Sequence, residues 1–543
     1  MRRVGAFLSR RPFAAAFLGF FLLATAWSFA MPYDGPPDEL QHVVRAYGVM
    51  TGQIMVPDGT TVTVPKSLAE PSLTGDAPGL TAAEKKPCMR WRMNMTAACA
   101  VSPDAVPTDQ KTMTSTTTGA GTYNPFYYWF VGVPIKLWPH YTGIFLARLL
   151  TGAAMSALFA AAVSVAVRLG RGNGAGNGAG SGRLMLLGTI AAITPVSVGL
   201  SGAVNPAGLE IAAGVGLWAA LIAIVYARDD SWRIFTLLGV SGILMAVLRE
   251  MGIGWLLGSL AVAALGLRKD RMLELVRLRA FWVFAVLVFL AVLGGALWIV
   301  LSSQGGIGAV PNPSDKVPHG AAIWGKEFTH RVPYYTSGLV GLLAYGDVAL
   351  PVPLIFTWFS AVGLLLVVAV RRCGRRIRLQ LIALIVIPYA ILILADGLAV
   401  KQGYWLSQGR YALPMLCGAP MLAGYALGRA GAWNRARQAR MLRIAAVLLV
   451  PIQAAALWIT IIRYQHGFNS LHPFMPFLFA DTPSVDPFSG SWTPPLGTVL
   501  PVVLGLAGTG VLIWFLRVAA LTGPQDAARP EPELRESGVT VAR

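Results

Sequence analysis

The sequence predicts an all-α polytopic membrane protein with about twelve transmembrane helices, and three observations carry that prediction. The chain of 543 residues is 55% hydrophobic and only 13% charged. Its mean hydropathy is +0.59. The apolar residues gather in runs of the length that crosses a bilayer, about 20 residues each. The net charge of +19 does not point to nucleic acid. The basic residues sit in short clusters between the apolar runs, where they set membrane orientation.

The first run, residues 12–31, follows Arg2, Arg3, Arg10 and Arg11. It is longer than a signal-peptide core, and Ser28-Phe29-Ala30 is a poor cleavage site, so it reads as a retained helix. Further spans are expected near 141–167, 184–204, 206–227, 234–248, 251–267, 280–301, 351–370, 379–396, 411–428, 444–462 and 496–516. With both termini cytoplasmic, the arginine-rich connections around Arg168, Arg171 and Arg183, around Arg228 and Arg233, and at 268–279, 371–378 and 429–443 all fall inside. That agreement requires 123–139 to stay out of the count, because an extra crossing would invert the later loops against the positive-inside bias. Its Tyr123, Tyr127, Tyr128, Trp129 and Trp138 suit an interface, and Pro125 and Pro134 interrupt it. It is expected as an interfacial or re-entrant helix on the outer face.

Residues 1–522 then form one transmembrane domain, with outer segments at 32–140, 302–350 and 463–495, and 523–543 is a disordered cytoplasmic tail. The six histidines, His42, His140, His319, His330, His466 and His472, fall in the outer segments at spacings too scattered for a metal site. Cys88 and Cys99 share the first outer loop, in a compartment that permits a disulfide, whereas Cys373 and Cys417 read as free thiols. The glycine-rich stretch 170–182 is a flexible linker. The sequence carries no internal repeat, P-loop, nucleophile elbow or dinucleotide fingerprint.

Chemistry is sought where charge meets the membrane. Pro36 and Pro37 suit a helix start, and at 100° per residue Leu40, Val43, Val44 and Tyr47 share one face while Asp38, His42 and Arg45 share the other. This predicts a short helix lying on the outer membrane surface with an acid, a base and a cation pointing one way. Asp38 is placed in the first turn, where the helix dipole favours a carboxylate suited to deprotonating an acceptor hydroxyl. Asp38 and Glu39 also fit an ordinary acidic helix start. The stretch 400–415 brings Lys401, Gln402, Gln408 and Arg410 to the outer boundary with Tyr404, Trp405 and Tyr411. Such cations either hold a phosphate or snorkel to headgroups. Arg249, between two apolar runs, is a second candidate phosphate ligand, and Glu210 is its candidate partner.

The segments "PPDELQHVVRAY", "NPFYYW", "NPAGLE" and "QGRYALPML", in that order over residues 36 to 415, resemble the GT-C superfamily of integral-membrane glycosyltransferases. Within that clan they are similar to an uncharacterised bacterial membrane-protein family, a domain of unknown function. The resemblance implies a GT-C-like bundle that moves a sugar from a polyprenyl-phosphate donor to a cell-envelope glycan or lipid acceptor on the outer face of the cell membrane, in contact with membrane lipids. It places the catalytic base on Asp38, with Glu39 as neighbour or alternate; the distribution of charge then puts the donor phosphate on Arg249, Lys401 and Arg410. Substrate contacts are expected from His42, Arg45, Gln408, Tyr411 and Tyr127. The transfer would be a direct, inverting displacement with no cofactor and no required divalent metal. Asn124-Pro125-Phe126 stands where many relatives have His-Pro-Pro, and the abundance of Ala, Gly and Arg resembles actinobacterial proteins. The rival reading is a transporter or flippase for a lipid-linked precursor. Twelve helices suit it, but polar residues at the outer boundary and not at mid-membrane do not.

Overall fold

A computed structural model describes residues 11–56, 60–69, 88–89, 92–100, 102–105, 113–171, 181–302, 322–400, 405–468 and 486–521. The apolar runs fold as helices because a backbone in lipid must satisfy its own hydrogen bonds. In chain order they begin with α1 (Pro12–Ala30), α2 (Glu39–Met50), α3 (Phe126–Leu137) and α4 (Tyr141–Arg171). They continue with α5 (Ser181–Ala192), α6 (Pro195–Leu200), α7 (Pro206–Val225), α8 (Trp232–Leu248), α9 (Glu250–Ala264), α10 (Lys269–Leu275) and α11 (Arg279–Ser302). After α12 (Val332–Gly338) come α13 (Val352–Arg372), α14 (Arg375–Ala399), α15 (Gly418–Arg429), α16 (Arg435–Leu448), α17 (Val450–His466) and α18 (Val499–Leu521). Among the described residues nine helices are long and apolar enough to cross a membrane, and three further apolar helices are shorter. The protein is therefore an all-α, multi-pass membrane protein, with its apolar helices at the twelve expected places.

Details depart from expectation where proline or packing intervenes. The span expected at 184–204 breaks at Ile193 and Thr194, because Pro195 cannot continue the ladder and restarts it as α6 under a Thr194 cap. The segment expected as an outer loop from residue 463 is still helical as far as His466. The expected linker is helical at its edges, where α4 ends at Arg171 and α5 begins at Ser181. Its middle, residues 172–180, lies outside the described residues, as does the tail.

α1 packs between α4 and α18, and α7 lies against α4 and α8. α5 and α15 pack backbone to backbone. Gly188 meets Pro420 and Gly424 meets Leu184 so closely that a Cβ on either would overlap a carbonyl oxygen, the small-residue contact typical of membrane helices. α11 turns Trp282, Val286, Phe289, Leu290, Leu293 and Leu297 outward as a lipid-facing surface.

The long segment between α1 and α4 folds around α2. β1 (Thr61–Pro65) and β2 (Met113–Thr117) form an antiparallel pair with Val62 opposite Thr116. The sheet presses on α2 at Gly48, where a Cβ would come within 2.6 Å of Val62. α3 covers another side of α2 and keeps Phe126, Trp129, Phe130, Val133 and Leu137 exposed. At 12 residues α3 is too short to span, in keeping with the interfacial helix expected there. α2, however, does not lie on the membrane surface. Val43, Val44, His42 and Arg45 are all buried, so protein covers both of its faces.

Candidate active site

The turn before α2 sets the site. Asp38 occupies the residue just ahead of the helix, not its first turn, with a left-handed backbone (φ 59°) that an aspartate tolerates better than most side chains. Its side chain does not cap α2. It turns instead toward Arg410, whose guanidinium donates to Asp38 Oδ2 over 3.2 Å. The turn is fixed from α7, where Asn205 accepts the Ala207 amide as N-cap and donates to the Pro37 carbonyl at 2.7 Å.

Asp38, His42, Tyr123, Asn205, Arg249, Arg410 and Tyr411 line one cavity of about 200 Å³. Arg249 sits in extended backbone between α8 and α9, donates to Glu210 Oε2 at 3.4 Å and lies 4.4 Å over the Tyr411 ring. Glu210 is thus its partner, as the sequence suggested. His42, fully buried beside two guanidinium groups, has its pKa pushed down to about 3, chiefly by burial and against the pull of Asp38, so its ring is neutral. Burial likewise raises the pKa of Tyr123.

The hydrogen-bond inventory separates structural from available cations. A guanidinium has five N–H donors. Arg148 uses all of them, two on Glu39 at 2.7 and 2.5 Å and three on the carbonyls of Ser28, Met31 and Pro32. Arg410 is just as enclosed, at 6% exposure, yet Asp38 is the one hydrogen-bond partner it has among the described residues, and its Nε is buried without any. A buried, under-bonded guanidinium on a cavity wall is a group prepared for an anionic ligand. Asp38, 42% exposed, faces the same space.

Arg410 is held in place by a second cluster. Asp396 Oδ1 accepts the amides of Leu406 and Ser407 at 2.9 and 2.5 Å, and Oδ2 accepts Arg331 Nε at 3.0 Å. Gly409 lies directly on the Tyr335 carbonyl, leaving no room for a side chain. The Tyr335 hydroxyl touches both Asp396 Oδ2 and Glu327 Oε1. Glu327 Oε2 is buried without a hydrogen-bond partner among the described residues, and burial raises the Glu327 pKa against the pull of the Tyr335 hydrogen bond.

Several expected site residues lie elsewhere. Glu39 is fully buried, its carboxylate saturated by Arg148 and by the amides of Val204 and Asp34, so it is not free to act as an alternate base. Arg45 spends its guanidinium on the carbonyls of Gln53, Ile54 and Tyr123 and is not a cavity ligand. Tyr127 is buried against Thr151, with its hydroxyl 2.9 Å from the threonine oxygen. Gln408 borders an adjoining small recess with Tyr334 and Arg410, not the main cavity. Lys401 lies outside the described residues. Cys88 and Cys99 are joined as a disulfide, with Cα atoms 5.7 Å apart. Gln41, Asn205 and Tyr123 line the cavity without having been expected to. Among the described residues no group of three or more His, Cys, Asp and Glu is placed to hold a metal ion. A larger cavity, about 420 Å³ between α7, α8, α9, α10 and α11, is lined by apolar side chains and glycine and offers no reactive group.

Residues 20–419 match the profile of the family described as "Predicted membrane protein (DUF2142)". The chain belongs to that family. No curated protein matches it significantly. Among solved structures, ArnT from Cupriavidus metallidurans is similar both bound to undecaprenyl phosphate and in the apo state, with TM-scores of 0.38 and 0.39. Each match has 14% identity and covers 93% of this chain and 76% of that one. A likeness at that level carries no argument for the chemistry of this family member.

Proposed function

We propose that the protein is a membrane glycosyltransferase of GT-C type that uses a polyprenyl-phosphate sugar and works on the outer face of the membrane. The observation that carries this reading is Arg410, buried on the wall of a polar cavity with most of its donors unmet among the described residues, opposite the carboxylate of Asp38 and beside Arg249. The donor's phosphate enters between the two guanidinium groups and draws Arg410 away from Asp38, freeing a carboxylate oxygen. The acceptor hydroxyl attacks the anomeric carbon, and its proton passes to Asp38. The bond from that carbon to the phosphate oxygen breaks, and its electron pair leaves with the polyprenyl phosphate, whose charge the fixed guanidinium groups meet. One displacement inverts the anomeric carbon. Because protein cations meet the leaving charge, this mechanism does not call for a divalent metal.

The test uses the purified protein in lipid nanodiscs and in vesicles, with a panel of polyprenyl-phosphate sugars and envelope glycan or lipid acceptors. Wild type should consume one donor, and Asp38→Asn should not. If both proteins carry labelled lipid across the vesicle bilayer at equal rates and neither consumes donor, the chain is a flippase and the proposal fails.

A further inference from the structure

The mechanism leaves one buried polar group of the cavity unused, and its surroundings fix its protonation. His42 Nδ1 lies 2.8 Å from the hydroxyl of Tyr128. Tyr128 is fully buried, and its hydroxyl makes no other hydrogen bond among the described residues. That hydroxyl has one hydrogen to place, and Nδ1 is the acceptor within reach; the opposite arrangement would strand a buried donor. Tyr128 therefore donates and Nδ1 accepts. A neutral imidazole has a single N–H, so the hydrogen sits on Nε2. Among the described residues Nε2 has no hydrogen-bond partner, yet it is not one of the sealed, unpartnered buried atoms, and its ring lines the cavity with Arg249 and Arg410.

We propose that Tyr128 locks His42 in the Nε2–H tautomer and that His42 donates this hydrogen to a phosphoryl oxygen of the ligand held by Arg249 and Arg410. The histidine is then a third, uncharged donor to the anion, neither a general base nor a cation. α3 acts on the site through it: Tyr128 never reaches the ligand but decides which face of the imidazole the ligand meets. The assignment of the ligand as a phosphate rests on the proposed function, whereas the tautomer does not.

The experiment is nitrogen NMR of the detergent-solubilised full chain with [15N]histidine, His42 being assigned by difference from His42→Gln. In wild type His42 should show a protonated Nε2 and a bare Nδ1 from pH 5 to 8, and polyprenyl phosphate should shift Nε2. Tyr128→Phe should mix the tautomers and weaken polyprenyl phosphate binding by roughly three- to tenfold, the worth of one neutral hydrogen bond. His42→Gln, which keeps a donor, should bind better than His42→Phe. A wild-type His42 with hydrogen on Nδ1, or on both nitrogens at pH 7, overturns the proposal whatever the protein's activity. An Nε2 that is protonated but unmoved by polyprenyl phosphate overturns the donation to the ligand. Nε2 shifting with polyprenyl phosphate while no sugar is transferred supports this inference and defeats the transferase reading instead.

Discussion

Replacing Arg148 with methionine should be among the most damaging single changes to this protein, although Arg148 does not line the cavity. The residue lies in α4 with its side chain fully buried, and its guanidinium is the hub between α1, the turn at Pro32 and Glu39. Methionine fills much of the space but removes five hydrogen bonds and the partner of a buried carboxylate, which keeps the backbone amides of Val204 and Asp34. Breaking a buried ion pair from one side costs about 3–5 kcal/mol, and Arg148 is the one cation paired with that carboxylate among the described residues. Arg148→Lys keeps the charge but loses the two-pronged contact and should fall between wild type and Arg148→Met. Removing both charges in Glu39→Leu/Arg148→Met should recover only part of the loss, since it removes the unpaired carboxylate but still breaks the hydrogen bonds to the Ser28, Met31 and Pro32 carbonyls and to the Val204 and Asp34 amides. The assay is equilibrium unfolding of detergent-solubilised protein, followed by helical signal through a denaturing-detergent titration. Arg148→Met within about 0.5 kcal/mol of wild type, the range of an inert substitution, would show that the Arg148–Glu39 pair does not hold the helices together.

Three further expectations follow from the same geometry. The unfolded chain protonates His42 near the ordinary value of 6.5, but the folded chain does so only near 3. As pH falls through 6.5 the unfolded state therefore binds the extra proton, and stability falls with a slope that approaches about 1.4 kcal/mol per pH unit; unfolding at pH 7, 6 and 5 should show a loss of about 2 kcal/mol in wild type, steeper below pH 6, and lack it in His42→Gln. Glu327→Gln should leave stability within about 0.5 kcal/mol, because the amide oxygen still accepts from the Tyr335 hydroxyl, whereas Asp396→Asn should cost about 3–5 kcal/mol by removing the charge that faces Arg331; thermal unfolding of the two variants checks this. The Cys88–Cys99 bridge closes a short loop, its ends separated by 11 in sequence, that Arg463 also grips through the carbonyls of Met89, Arg92 and Met95. Cys88→Ser/Cys99→Ser should lower local stability there by about 3 kcal/mol, visible as faster hydrogen exchange at 92–99 with unchanged exchange in α7 and α15.

What the sequence made legible follows physical range. Hydropathy is a local property, so the helices appear where the apolar runs are, and Arg249, Glu210, Asp38 and Arg410 stood out as charges at the edges of those runs. The helical wheel of α2 placed Asp38, His42 and Arg45 together, but a wheel does not say what covers each face. Here β1 and α3 bury the helix, so Arg45 becomes a strut for carbonyls and His42 a neutral donor. Glu39 and Asp38 are adjacent and chemically alike; their roles diverge because Arg148, 109 residues away, claims one of them. A lone arginine within the apolar "IFLARLLTG" was a usable signal, since a cation at that depth needs a partner. The pairing of Tyr128 with His42 across 86 positions left no such trace.

The proposed function divides the work between Asp38, proposed to take a proton, and Arg249 with Arg410, proposed to hold a phosphate. One preparation assayed for both polyprenyl phosphate affinity and sugar turnover, in Asp38→Asn and in Arg410→Ala, separates the two roles. Asp38→Asn should bind the lipid phosphate within about threefold of wild type while turnover falls by about 10²–10⁴, the range of a lost general base. Arg410→Ala should weaken lipid phosphate binding by about tenfold or more, the worth of a charged hydrogen bond. Equal losses of affinity in both variants, or an Asp38→Asn enzyme that turns over at the wild-type rate, would contradict it.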